Sequence, residues 1–100
     1  MRRLFPSLVL LLTTFAITAS AVVVTFPDMA FDFAIRTQIG KLMGDVYDSN
    51  LRDLETLDLS GCGIRNLEGI QYCTGLVELN LSDNSLNDVS ALSSLTNLQL

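Results

Sequence analysis

Among its 100 residues the chain has no histidine and no tryptophan, only two cysteines, and six basic residues against eleven acidic ones. Each shortage removes a class of function. Without histidine, a cysteine or serine nucleophile lacks its usual base, and two thiols alone are too few ligands for a zinc site. No metal, no cofactor and no catalytic residue is expected. The few cations form no cluster, and the acidic excess would repel phosphate backbones and anionic lipid surfaces, so nucleic-acid binding is excluded as well. The acids do not rescue an enzyme reading. Asp58 and Glu78 fall on neighbouring copies of one short segment, an open arrangement in which water screens carboxylates instead of displacing their pKa.

Charge is also missing along the chain. Arg2 and Arg3 open it, and residues 4–26 carry none. An apolar run, Leu8–Ile17, is interrupted only by Thr13 and Thr14, and Ala19-Ser20-Ala21 follows with the small-x-small pattern of a signal peptidase site. We expect residues 1–21 to be a signal peptide cut after Ala21. The alternative is an uncleaved membrane anchor, for which the uncharged run is long enough. The Arg2-Arg3 pair faintly resembles a twin-arginine signal, but the Leu8–Leu12 run favours the general secretory route. Either way the protein is expected to be secreted or at the cell surface. Removing residues 1–21 takes two cations and no acid, leaving four cations against eleven acids, a formal charge of 4 − 11 = −7.

What the chain has in abundance is leucine at a fixed interval. Leu54, Leu76 and Leu98 are 22 residues apart, and Leu57/Leu79, Leu59/Leu81, Ile64/Leu86, Leu67/Val89 and Ile70/Leu92 repeat in the same phase. Only five positions are identical between residues 54–75 and 76–97, yet seven of eight inward-reading positions are apolar in both. Stacked coils require this: the shared core must be filled while the rest drifts. In each copy Leu-x-x-Leu-x-Leu alternates as a strand with one buried face. The apolar interval of three that follows, Ile64-Leu67-Ile70-Cys73 in the first copy, suits a 3₁₀-like or irregular return arm.

Residues 22–53 read differently. Phe26-Pro27-Asp28 marks the change from leader to folded domain, with Asp28 as N-cap of an amphipathic helix at about 29–42. Its apolar stripe is Phe31, Ala34, Ile35, Ile39 and Leu42, and Gly40 and Gly44 supply the stop. Phe33 lies off the stripe and is placed against the first coil. Residues 45–53 keep part of the repeat register, with Leu51 in phase but Asp45 and Asp48 at apolar positions, and form a transition to the coils at 54–75, 76–97 and a third beginning at 98. Such a helix would cover the apolar end of the first coil.

The motif Leu76-x-x-Leu79-x-Leu81-x-x-Asn84-x-Leu86 is that of the leucine-rich repeats. The 22-residue period, with Asp88-Val89-Ser90-Ala91-Leu92 and Leu95-Thr96-Asn97-Leu98, resembles the bacterial, internalin-like subclass. Thr25-Phe26-Pro27-Asp28 and the helix containing Ala34-Ile35-Arg36 resemble the N-terminal cap of such proteins. The resemblance covers residues 25–100. It implies an α/β solenoid: a right-handed coil with a short parallel sheet on its concave face, a capping helix, and a role in binding. The first copy has Cys62 where the motif has asparagine, an accepted alternative.

Site residues follow from the repeat phase. Thr56, Asp58 and Ser60 of the first copy and Glu78, Asn80 and Ser82 of the second alternate with the core leucines, so they form the concave, ligand-binding face, with Gln99 starting a third row. Cys62 and Asn84 are structural turn residues, and the Asn84 amide is suited to the backbone groups that the turn leaves unpaired. The phase sets Cys62 and Cys73 at opposite ends of the coil, both inward and both free. Asn80-Leu81-Ser82 is a formal glycosylation sequon on ordinary strand positions. Asp83, Ser85 and Asn87 imitate a calcium loop, but Asp88 and Ser94 stand where glycine and glutamate are needed. The expected function is a secreted or surface module binding a protein or glycan, part of a longer protein. The alternatives are repeats that position an exported enzyme, or a structural envelope spacer.

Overall fold

Two rows of backbone, offset by one 22-residue repeat, organise the structure. It is a computed structural model that describes residues 21–99; all of the expected leader except its last residue, Ala21, and also Leu100 lie outside the described residues. Strands β3 (Thr56–Asp58) and β4 (Glu78–Asn80) pair in parallel, with Thr56 beside Glu78, Leu57 beside Leu79 and Asp58 beside Asn80. The ladder continues past the strands. Leu59 N–H donates to Asn80 O at 2.8 Å and Gly61 N–H to Ser82 O at 2.9 Å, while Gln99 N–H reaches Val77 O at 2.9 Å to begin a third row. Parallel strands need a long crossover. Here it is the return arm, which contains a 3₁₀ turn at Ile70–Tyr72 in the first coil and one at Ser90–Ser94 in the second.

Inside the first coil, Leu57, Leu59, Ile64, Leu67, Ile70 and Cys73 are buried, and Leu76 and Leu95 of the second join them. Burial at this scale, about 1.5–3 kcal/mol for each large aliphatic side chain, is what holds the coils together. Among the described residues, the second coil is covered on one side only. Leu79, Leu81, Leu86 and Leu92 pack on the core but remain half-buried. Val89, expected to face inward, is 51% exposed. It aligns with the fully buried Leu67, but the two return arms differ there: the second 3₁₀ turn begins at Ser90, directly after Val89, and the first at Ile70, after a left-handed Gly69 (φ 108°).

Preceding the coils are a short antiparallel pair, β1 (Val23–Val24) with β2 (Val46–Tyr47), and the helix α1 (Met29–Ile39). The strand pair is absent from the sequence expectation, because two residues per strand leave no readable alternation. Asp48, read as a misplaced polar residue, has a job here: its carboxylate accepts from Val22 N–H at 3.2 Å and Ser49 N–H at 2.9 Å at the start of a one-turn helix α2 (Asp48–Leu51). Folded structure thus begins ahead of the Phe26-Pro27-Asp28 boundary. Phe26 is itself buried, meeting Phe31 edge to face with ring centres 4.9 Å apart.

Helix α1 is shorter than the expected span to 42. Gly40 adopts a left-handed conformation (φ 71°) and Lys41 N–H turns back to Arg36 O at 2.9 Å, closing the helix at Ile39. Leu42 therefore leaves the apolar stripe and is 63% exposed. Arg36 ties down the loop that follows, donating to Lys41 O at 3.2 Å and Gly44 O at 2.8 Å while paired with Asp32 one turn earlier. Phe31 and Ile35 are fully buried against the core.

Asp28 joins the helix to the coil. One carboxylate oxygen caps the helix, accepting from Phe31 N–H at 3.1 Å. The other accepts from Arg65 N–H at 2.7 Å and Asn66 N–H at 2.9 Å in the first return arm. Partial burial by itself would raise its pKa, but these backbone donors, with Arg65 foremost and Ala30 adding a fourth, together hold the carboxyl below its usual value.

Candidate binding face

The strand pairing sets Thr56, Asp58, Glu78 and Asn80 in a two-by-two array on one side of the sheet, all exposed, because alternate residues of a strand point to opposite faces. Ser60 and Ser82 continue the two rows, Ser60 half-buried and Ser82 exposed. The serines are not free. Ser60 donates to Asp58 Oδ1 from both its N–H (3.0 Å) and its hydroxyl (2.7 Å). Ser82 makes the same pair of bonds to Asn80 Oδ1, at 3.0 and 2.7 Å. The two Ser60 donors, the hydroxyl first, lower the Asp58 pKa, the opposite of what an acid catalyst needs. Together these side chains form a polar, mixed-acidic surface without a deep cleft.

At the end of each strand the chain turns through a left-handed residue, Gly61 (φ 63°) in the first coil and Asp83 (φ 60°) in the second. The turns leave backbone groups without partners, and Asn84 supplies them. Its Oδ1 accepts from Cys62 N–H at 3.1 Å and Ile64 N–H at 2.9 Å. Its Nδ2 donates to Leu59 O at 2.7 Å and Leu81 O at 3.0 Å. One side chain thus bonds the turn of its own coil and that of the coil before it. Cys62, expected to be buried like Cys73, is half-buried instead, its thiol 3.5 Å from Ser60 O. Its place at the rim of the turn leaves one side open. Cys73 is fully buried, which pushes its thiol up to about 11. Both cysteines are free.

Beside this face lies a feature that the repeat pattern does not reveal. Phe33 is 66% exposed and does not pack into the first coil. It forms a wall of an apolar groove of about 450 Å³, with Ala30, Ala34 and Thr37 on the helix side and Asp58 and Cys62 opposite. Gln38 bridges helix and strand, its amide 3.3 Å from Asp58 O. Phe33 falls off the buried stripe of α1, which was the available signal, but its neighbours come from a segment 20 or more residues away.

Coils of one period, stacked through a parallel ladder and an asparagine that serves two turns, define a leucine-rich-repeat protein, and residues 52–94 match the leucine-rich-repeat family in two copies. The chain is an internalin-like member. It is 36% identical over 69 residues to Internalin H of Listeria monocytogenes, an alignment covering 67% of this chain and 13% of that protein. An internalin (InlF) crystal structure from the same species superposes with a TM-score of 0.69 at 33% identity, over 73% of this chain and 22% of the other. Internalin C2 gives 0.67 at 36% identity, over 75% and 35%. A structure of the CBM51-2 and INT domains of Clostridium perfringens ZmpB gives 0.69 at 31% identity, over 77% and 17%. The chain thus spans about an eighth to a third of the proteins it matches.

Proposed function

We propose that this chain is an exported binding module whose sheet face, carrying Thr56, Asp58, Ser60, Glu78, Asn80 and Ser82, is the concave surface that takes a protein ligand. The single observation that carries this reading is the register of β3 on β4, which sets side chains the core does not use in aligned rows on one face. Helix α1 acts as the cap of the array, since Phe31 and Ile35 cover apolar surface that the first coil would otherwise expose. Residues 1–21 act as the export signal, residues 22–53 as cap and transition, and residues 54–97 as the first two coils. The resemblance to the internalins supports protein binding over catalysis. Neither Asn84 nor Cys62 belongs to the face; both serve the turns.

A photocrosslinking amino acid at position 78, compared with one at position 68 on the return arm, tests this in the producing cell. A discrete crosslinked species from position 78 and none from position 68 is expected. Crosslinks from both positions alike, or from position 68 alone, would refute a strand-face ligand.

A further inference from the structure

The groove between α1 and the first strand is continuous with the acidic end of the strand face. A second shallow groove of about 420 Å³ runs over Thr56, Asp58, Glu78 and Asn80, and Gln38 and Asp58 line both. One end is therefore apolar, with Phe33, Ala30, Ala34 and Cys62, and the other carries the carboxylates of Asp58 and Glu78. Among the described residues, no lysine or arginine lines either groove.

Two residues here are not explained by the fold. Phe33 is exposed on a helix whose burial is already provided by Phe31 and Ile35. Asp58 accepts from Ser60 N–H and hydroxyl, yet in the next coil the neutral Asn80 accepts the equivalent pair from Ser82 at the same distances. The turn needs one carbonyl-type oxygen and no charge. Asp58 nevertheless carries one, and its two Ser60 donors keep it ionised. An unneeded aromatic ring and an unneeded negative charge thus meet on one groove, in a chain whose residues 22–100 carry four cations against eleven acids.

We propose that this groove seats an extended peptide segment of the protein ligand, with an aliphatic or aromatic side chain on Phe33 and an adjacent arginine or lysine on Asp58. This deepens the binding-module reading and rests on it. Phe33 supplies the aromatic anchor that the strand face lacks, and such anchors carry most of the energy in protein interfaces. The charge pair is solvent-exposed, so it contributes selection for the cation more than affinity and weakens with salt.

Three short synthetic peptides test this against the isotope-labelled full chain by NMR: one alternating leucine and arginine, one alternating leucine and glutamate, one alternating glycine and arginine. The leucine–arginine peptide should shift the amides of Phe33, Ala34, Gln38, Asp58 and Cys62, and bind about tenfold more tightly than either of the others. Phe33→Ala should weaken it several-fold without unfolding the chain, because the ring is mostly in water. Asp58→Asn keeps the acceptor for Ser60 and should abolish the preference for arginine over glutamate and the salt dependence. The proposal is overturned if the leucine–glutamate peptide binds equally well, if either variant leaves binding unchanged, or if no peptide shifts the groove. Shifts at Thr56, Glu78 and Asn80 with the helix silent would overturn the groove but leave the strand-face reading standing. Shifts at Phe33 and Asp58 with the rest of the face silent would support the groove and count against that reading.

Discussion

Asn84 and Asn80 are the same residue four positions apart, and replacing each by alanine should have very different consequences. Asn84→Ala removes the acceptor of two backbone amides, Cys62 and Ile64, and the donor to two carbonyls, Leu59 and Leu81. A buried group left unpaired costs about 1–3 kcal/mol, and these sites are only part-buried, so water recovers some of the loss. Taken together the substitution should cost about 2–3 kcal/mol, shared by both coils because the amide bonds both turns. Asn80→Ala loses two bonds from Ser82 that are exposed and readily replaced by water. It should cost about 0.5 kcal/mol or less. Urea unfolding reads the difference directly: with a slope of about 1–2 kcal/mol per molar, Asn84→Ala should lower the midpoint by about 1–3 M and Asn80→Ala by a few tenths. Hydrogen exchange adds a local readout, since the Cys62 and Ile64 amides should lose protection in Asn84→Ala and keep it in Asn80→Ala. Equal midpoint losses at the two sites, or unchanged protection of Cys62 and Ile64, would refute the assignment of Asn84 to the turns and of Asn80 to the open face.

Other expectations follow from single contacts. Asp28 has a folded pKa below its ordinary 3.8, so its contribution to stability should be complete above about pH 4 and lost as pH falls through the lower folded value; thermal melts from pH 5 downward should show this loss in the native chain and not in Asp28→Asn. Gly69→Ala should destabilise by about 2–4 kcal/mol in chemical denaturation, because Gly69 has φ 108° and an added Cβ would lie 2.5 Å from the Phe26 ring; the matching Ala91 of the second coil lies within a 3₁₀ turn and has no such left-handed backbone. Asp83→Gly should raise the melting temperature, worth up to about 1 kcal/mol, by relieving the left-handed backbone at φ 60°. Alkylation of native protein at neutral pH should label Cys62 before Cys73, whose thiol is buried and raised to about 11, and denaturation without reductant should expose two labels; recovery of a crosslinked Cys62–Cys73 peptide would contradict the pair's being free.

The repeat register was legible because a coil has one inside, and every stacked copy must fill it at the same phase. Leucine spacing therefore indicated short one-faced strands, 3₁₀-like or irregular return arms and the place of Asn84 in the turn after its own strand. The parallel sheet followed from the family resemblance, and the reach of Asn84 to the preceding turn came only with the fold. Asp28 was readable as a helix cap, since that is a local relation between a carboxylate and the next turn. Tertiary structure decided what depends on residues far apart in sequence. The second oxygen of Asp28 bonds amides 37 and 38 residues away, and Phe26 meets Gly69 across a similar interval. The β1–β2 pair is too short to leave a periodic trace. The exposure of Val89 and the half-burial of Cys62 are tertiary outcomes that the repeat phase alone does not distinguish from full burial. Phe33 is the clearest case: its place off the buried stripe led the sequence reading to set it against the first coil, whereas it stands 66% exposed as a wall of the groove it shares with Asp58.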